Sequence, residues 1–489
     1  MNSVLLNDYF KLGLDSESEG IEAPALVNTF RTAPVNQNSL HNKVTFKIPK
    51  QGLLTKDSGV VIQAELTSTA NVAATVSNNV NVVNGILGSI KRSTLLIDSK
   101  PLIDLENPSF LENNRMYSRN NPARLLDIHR NLLGSGFKTA CDDNVLSRDQ
   151  TTLAQNRGQE ALDARLATVV EDDAGNEVFT PTREKLSTTT NQNKRYFIPL
   201  SMLGCNFLRY NSLPVYLMKD RDIELVLEFD SDATNWSFNS STTAGMVASG
   251  CKISLDTAEL CSTHVLLDEE TEKEQRQMLQ QEQASYSLIE SYLVKGVFST
   301  DAKNVQSNDL YRINLQNREC HKLTWCMRDL DGVTDGNNPL ANQIALSLGD
   351  ESYNYRVNGS LVFDEDVAND SVVFYLNSLH NNGSGLKVSK TAWSHTGLDE
   401  LQNKNQTTGA GKVYDGCFHY QGLDLQKGNG SGMVFGEGTT MRTPLELIYQ
   451  VTPVSDASPD QTSKNHDCFF YISASKLLKI SPDNVVISF

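Results

Sequence analysis

Apolar and polar residues alternate with a period of two from one end of this chain to the other, the spacing that sends successive side chains to opposite faces of a strand. Val44, Phe46 and Ile48 alternate with Thr45 and Lys47, and Ile62, Ala64 and Leu66 with Gln63 and Glu65. Ile223, Leu225, Leu227 and Phe229 share one face, with Glu224 and Glu228 on the other. Later, Tyr311, Ile313 and Leu315 alternate with Arg312 and Asn314, and Leu323, Trp325 and Met327 with Thr324 and Arg328. Leu445, Leu447, Tyr449 and Val451 oppose Glu446 and Gln450, and Val485, Ile487 and Phe489 again fall on one face. Each run predicts a strand with one dry and one wet face, the habit of antiparallel sheets. Asn84-Gly85 and Asn358-Gly359 are hairpin-type dipeptides, because both central positions of a type I′ turn need positive φ.

Helical spacing is scarce. Asn121-Pro122 makes a helix start, with Leu125, Ile128, His129, Leu132 and Leu133 as an apolar stripe and Gly134 and Gly136 as the stop. Over 268–284 the pattern differs: Asp268 is placed to cap a charged, Gln-rich helix in which Glu269/Lys273 and Glu272/Arg276 are spaced for ion pairs. Only Met278 and Leu279 interrupt its polarity, which predicts a solvated connector. Polar stretches at about 136–194, 231–250, 331–342 and 380–416 exceed the usual loop length and predict an elaborated outer surface on a plain scaffold.

Length turns the strand pattern into an organisation. The chain has 489 residues. Single cores stop growing at about 250–300 residues, so two β-sandwiches are expected. Composition is globular, with 39% hydrophobic and 21% charged residues. The net charge of −16 disfavours a general nucleic-acid surface. The amino-terminal stretch repeats the point: Asp8, Asp15, Glu17, Glu19 and Glu22 outnumber Lys11 and Arg31 within residues 1–41. Met1 to Lys11 lacks the basic and apolar regions of a secretory signal, and no apolar run is long enough to span a bilayer. Eight cysteines (Cys141, Cys205, Cys251, Cys261, Cys320, Cys326, Cys417, Cys468) contain no CxxC pair and are expected as buried thiols in a reducing compartment. The sequons at Asn235, Asn382 and Asn429 are expected to be coincidences of Asn-rich loops.

Candidate chemistry is thin. Arg328-Asp-Leu-Asp-Gly-Val-Thr-Asp335 contains a DxDG fragment, but a calcium loop needs about six oxygen ligands with a closing carboxylate, and none sits at that offset. The eight histidines (His41, His129, His264, His321, His380, His395, His419, His466) contain no HxH pair of the kind a cupin uses for metal. No GxSxG, P-loop or GxGxxG occurs, and Gly428-Asn-Gly-Ser-Gly432 is a loop tip without a following helix start. Trp325 is expected in a core, whereas Trp236 and Trp393 lie in polar loops where a sugar-stacking role is the sharper reading and plain loop packing the blander one. Catalytic, cofactor-binding and metal-ligating residues are therefore expected to be none.

From Tyr196 the sequence becomes more specific. Tyr196-Phe-Ile-Pro-Leu200, Asn211-Ser-Leu-Pro-Val-Tyr-Leu217 and Asp222-Ile-Glu-Leu-Val-Leu-Glu-Phe229 follow one another. Leu266-Leu267-Asp268-Glu269-Glu270 leads to Tyr286-Ser-Leu-Ile-Glu290, then His321-Lys-Leu-Thr-Trp325, and finally Lys476-Leu-Leu-Lys-Ile480 with Val485-Val-Ile-Ser-Phe489. In this order the segments resemble the double jelly-roll major capsid proteins of large DNA viruses, virophages and polinton-like viruses. Thr271 and Glu272 replace the family's Glu-Arg, Ser287 departs from its second linker motif, and Pro482-Asp483-Asn484 stands in for its final glycine turn. The motifs cover about 196–489; residues 1–195 agree in strand pattern and length alone.

The resemblance implies an all-β chain of two consecutive eight-stranded antiparallel jelly rolls with few short helices. The expected division is an arm (1–40), a first jelly roll (41–267), a helical linker (268–285) and a second jelly roll (286–489). It further implies a homotrimeric, pseudo-hexagonal capsomer tiling an icosahedral shell. Its partners would be neighbouring capsomers, minor capsid and penton proteins and an internal membrane, with no sequence-specific nucleic acid and no cofactor. The arm, amphipathic at Val4, Leu5, Tyr9, Phe10 and Leu12, is expected on the inner shell face. A glycan-binding jelly-roll lectin or spike is the alternative, and a cupin-type enzyme ranks last.

Overall fold

Two stacks of antiparallel sheets form where the period-two runs predict strands. The structure, a computed structural model, describes residues 26–35, 42–68, 79–81, 85–117, 168–171, 177–180, 193–209, 212–230, 238–241, 245–248, 251–281, 284–300, 306–315, 317–329, 350–368, 421–425, 438–452, 464–481 and 485–488. The expected helix after Asn121, Trp236, Trp393, the sequons, most of the long polar stretches and residues 330–335 of the DxDG fragment lie outside the described residues.

In the first half, one sheet runs β1 (Leu26–Thr32), β14 (Cys251–Leu266), β4 (Gly59–Ser68), β10 (Asn193–Pro199), with β3 (Leu53–Leu54) also on β14. The facing sheet runs β2 (Lys43–Lys47), β11 (Ile223–Phe229), β6 (Ile90–Ile97), β7 (Lys100–Glu106). Two small sheets accompany them: β13 (Gly245–Ala248), β12 (Phe238–Ser241) and β5 (Asn79–Asn81), and the hairpin β8 (Thr168–Glu171) with β9 (Glu177–Thr180). In β11 the alternation is realised as written: Ile223, Leu225, Leu227 and Phe229 are buried, while Glu228 reaches Lys43 on the outer face at 3.7 Å.

The second half repeats the plan. One sheet runs β15 (Ala284–Thr300), β24 (Lys464–Ile480), β17 (Glu319–Asp329), β21 (Gln421–Asp424), with β22 (Thr439–Thr440) on β17 and β25 (Val485–Ser488) on β24. The other runs β16 (Ser307–Ile313), β23 (Leu445–Thr452), β18 (Asp350–Val357), β19 (Ser360–Leu361), with β20 (Val367–Ala368) on β18. Trp325, Tyr353, Tyr355, Tyr449 and Phe470 fill the space between them. Trp325 lies edge-on to Tyr353 and Tyr449 at ring-centroid distances of 5.7 and 5.6 Å, the geometry favoured by aromatic quadrupoles.

Asn358 (φ 52°) and Gly359 (φ 86°) form the two-residue turn between β18 and β19, as the dipeptide predicts. Gly85 behaves otherwise. It opens a short helical turn (Gly85–Ser89) that buries Ile86 and Leu87, with the Ser89 hydroxyl donating to the Ile86 carbonyl at 2.7 Å. Burial of these two side chains overrides the local hairpin preference.

Two α-helices are described, α1 (Pro108–Tyr117) and α2 (Glu269–Gln281). Asp268 caps α2 by accepting from the Thr271 amide at 3.2 Å, and Glu272 pairs with Arg276 at 2.9 Å, as the spacing predicts. The expectation of a fully solvated connector fails at one face. Gln275 is buried, and its side-chain oxygen accepts from the hydroxyl of the fully buried Tyr216, so α2 is docked onto the first half.

Part of the expected arm (1–40) is a strand of the first sandwich. Leu26–Thr32 pairs along its whole length with Leu260–Leu266 and is an edge strand of the first sandwich. Opposite the same stretch of β14, Gly52 has a φ of +59°, and a Cβ there would lie 2.2 Å from the Val265 carbonyl oxygen. Gly52→Ala is expected to cost more than about 1 kcal/mol, read as a lowered denaturation midpoint, because both the backbone conformation and the space exclude a methyl group.

Candidate functional site

The three described histidines sit apart: His264 Nδ1 is 2.7 Å from the Gln51 carbonyl, His321 Nε2 is 2.7 Å from the Ser475 hydroxyl, and His466 stands beside the Phe298 ring. Among the described residues no group of three or more His, Cys, Asp or Glu side chains is placed to hold a metal. Cys205, Cys261, Cys320, Cys326 and Cys468 are free thiols. Burial pushes Cys205 and Cys468 up to about 12 and Cys320 to about 11, which suppresses the thiolate a nucleophile needs.

What the structure does build is the seam between the two halves. β15 and β24 pair over seventeen consecutive positions, a ladder of about 55 Å at strand rise. That length passes both cores. Tyr286, Leu288, Leu478 and Ile480 join the first, while Phe298, Phe470 and Cys468 join the second. β7, the edge of a first-half sheet, runs against β15, the edge of a second-half sheet. Edges left with bare amides invite unwanted pairing, and here side chains cover them.

The covering is done mainly by one ion pair. Lys476 Nζ lies 2.6 Å from Glu290 Oε2, with both side chains almost wholly buried. The same ammonium donates to the Leu102 carbonyl at 2.7 Å and the Pro101 carbonyl at 3.3 Å, and Glu290 Oε1 accepts from the Asp104 amide at 3.2 Å. All three ammonium protons and both carboxylate oxygens thus have partners, two strands of the second half gripping one strand of the first. Burial pushes the Glu290 carboxyl above the ordinary carboxylate range, against the pull of Lys476. Around this pair, Lys295 bridges to Glu106, the Tyr471 hydroxyl donates to the Asn107 carbonyl at 2.8 Å, and Phe110 of α1 stacks on Phe469 at 5.1 Å. A cavity of about 440 Å³, lined by Lys100, Asp104, Tyr292 and Arg318 among others, opens beside it.

The quoted motifs turn out to be the residues of this scaffold. Tyr196 and Ile198 enter the first core from β10, Leu200 from the helical turn just after it, and Leu213, Val215 and Tyr216 from the segment that follows. Glu290 ends one linker motif and Lys476 begins the final one, so the sequence contained both halves of the clasp without signalling that they meet.

No family model matches the sequence, and no curated protein matches it. Solved structures do. A chain of the PBCV-1 virus capsid aligns over 97% of this chain and 99% of its own, with 11% identity and a TM-score of 0.51. A chain of the Sputnik virophage aligns over 98% and 92%, with 13% identity and a TM-score of 0.54. The Faustovirus major capsid protein aligns over 98% and 94%, with 10% identity and a TM-score of 0.51. The fold is the double jelly roll. Both jelly rolls and the seam between them are included in an alignment that leaves almost nothing of either chain unmatched, so the correspondence belongs to the whole architecture and not to one sandwich.

Proposed function

We propose that this double jelly-roll chain is a major capsid protein, forming homotrimeric pseudo-hexagonal capsomers that tile an icosahedral shell in the virion. The observation that carries the reading is the near-complete mutual coverage with capsid chains at 10–13% identity. The sequences agree in little more than a tenth of positions while the two-sandwich arrangement matches nearly end to end. A lattice block needs that: two rigid corners per subunit at a set angle, with side chains free to change wherever packing volume is kept.

In this reading the chain has a structural role and no catalytic one, each jelly roll carries eight main strands, and the division between them falls in α2. The amino-terminal arm, expected over 1–40, is assigned to the inner shell face; its residues 1–25 lie outside the described residues. The remaining partners are neighbouring capsomers, minor capsid and penton proteins, and a membrane beneath the shell. Contact with the packaged genome is not sequence-specific, in keeping with a net charge of −16.

Size-exclusion chromatography with light scattering tests the reading. The expected result is a stable species at three times 54.1 kDa, seen as pseudo-hexagonal particles in electron micrographs. A monomer retained on immobilised glycans would overturn it in favour of a lectin or spike.

A further inference from the structure

Strand β1 is held to the body of the first jelly roll by little more than its ladder with β14. Leu26 and Val27 are 63% exposed, and the Arg31–Glu259 ion pair spans 4.0 Å at an exposed surface, where such pairs contribute little. Thr29 and Thr263 share a hydroxyl hydrogen bond of 3.2 Å in the open. The inward contact is Phe30, whose ring meets the His264 imidazole edge-on at 5.2 Å.

His264 is a peculiar support for a strand. Its side chain is fully buried between β1 and β3, paired in register with Asn28 on one side and Leu54 on the other. Nδ1 is hydrogen-bonded to the Gln51 carbonyl at 2.7 Å, which makes Nδ1 the protonated nitrogen of the neutral ring. Nε2 is buried with no hydrogen-bond partner. Among the described side chains, the charged groups on the surrounding elements are Arg31 on β1, Glu259 on β14, Lys50, Lys56 and Asp57 before β4, and Asp268 at the α2 cap. None of them hydrogen-bonds the ring: Lys50 is engaged with Asp222, Arg31 with Glu259 and Asp268 with Thr271. A second proton would therefore place an unmatched charge, and a donor without an acceptor, directly beneath Phe30.

We propose that His264 is an acid-sensitive latch for the amino-terminal strand: protonation at Nε2 releases β1 and uncovers the Leu260–Leu266 edge of β14. The device does not depend on the capsid reading, since it follows from the latch geometry within one chain. Burial lowers the imidazole below its ordinary value, and the Gln51 carbonyl opposes this more weakly. The sign follows from linkage. Above the ordinary histidine range the ratio of closed to open state is constant and at its highest, and as the pH falls from that range toward the lowered value the open state, which binds the proton more tightly, gains about tenfold per pH unit.

Hydrogen–deuterium exchange of the full chain, corrected for intrinsic rates, between about pH 7.5 and about pH 5 reads this directly. Peptides covering 26–32 and 260–266 are expected to gain at least about tenfold in exchange rate on acidification, with β23 unchanged. His264→Gln is expected to remove the acid step. Phe30→Ala, which leaves the β14 core intact, is expected to show fast exchange of 26–32 already at neutral pH with little further acid effect. An unchanged rate for 26–32 in acid, the same acid step in His264→Gln, or simultaneous loss of protection in β23 would each overturn the latch.

Discussion

Lys476→Met is expected to lower stability by about 3–5 kcal/mol, because it strands the buried Glu290 carboxylate in the seam with one amide donor left. The ammonium also carries two carbonyls of β7, and both lose that donor. Desolvation of the orphan charge, and not the lost attraction, sets the magnitude. The companion experiment separates the two. Lys476→Met combined with Glu290→Leu removes both charges and is expected to recover more than half of the loss, as apolar replacements of buried ion pairs commonly do. Denaturant titration followed by tryptophan fluorescence measures both variants. If the double variant is as damaged as the single one, the clasp acts through shape and hydrogen bonding of β7 and not through its charges.

Trp325→Ala is expected to cost about 3–5 kcal/mol, as removal of a fully buried large aromatic generally does. Three rings lose a neighbour, since Tyr353, Tyr449 and Tyr355 all touch the indole. The indole N–H donates to the Tyr355 hydroxyl at 2.8 Å, and that hydroxyl donates onward to the Gly422 carbonyl at 3.4 Å. Trp325→Phe keeps most of the volume and breaks only the relay, so its loss should be well under half that of alanine. Equal losses would show that the hydrogen bond, and not cavity formation, dominates. In the trimer assay Trp325→Ala is expected to reduce the yield of folded chain, whereas the Lys476 variant should leave both jelly rolls folded and alter how they are held together.

Much of the first jelly roll's architecture escaped the reading of patterns, and the hairpin β6–β7 shows why. Its turn residues, Asp98 and Ser99, both have positive φ without a glycine. The turn is held from outside: Asp98 accepts from Arg221 and from the Asp222 amide, each at 3.0 Å, across more than a hundred residues of chain. No local rule weighs such a partner. α1 was likewise unannounced, because its apolar residues Phe110 and Leu111 are few and one of them finds its stacking partner, Phe469, in the other half of the molecule.

The amino-acid order by itself determined that β2, β11 and β23 are strands and which face of each is dry, whereas β17, also legible as a strand, is buried on both faces, Thr324 and Cys326 included. It set the cap of α2, the Asn358-Gly359 turn, and Trp325 as a core residue. Those are consequences of side-chain periodicity and local backbone preference, which act over a few residues. Only the tertiary structure decided that β15 and β24 run through both cores, that Glu290 meets Lys476, that α2 is pinned through Gln275, and that Leu26–Thr32 of the arm becomes β1 with His264 beneath it. Each of these depends on which distant group fills a buried space or satisfies a buried charge, and that choice is made by packing across the whole chain.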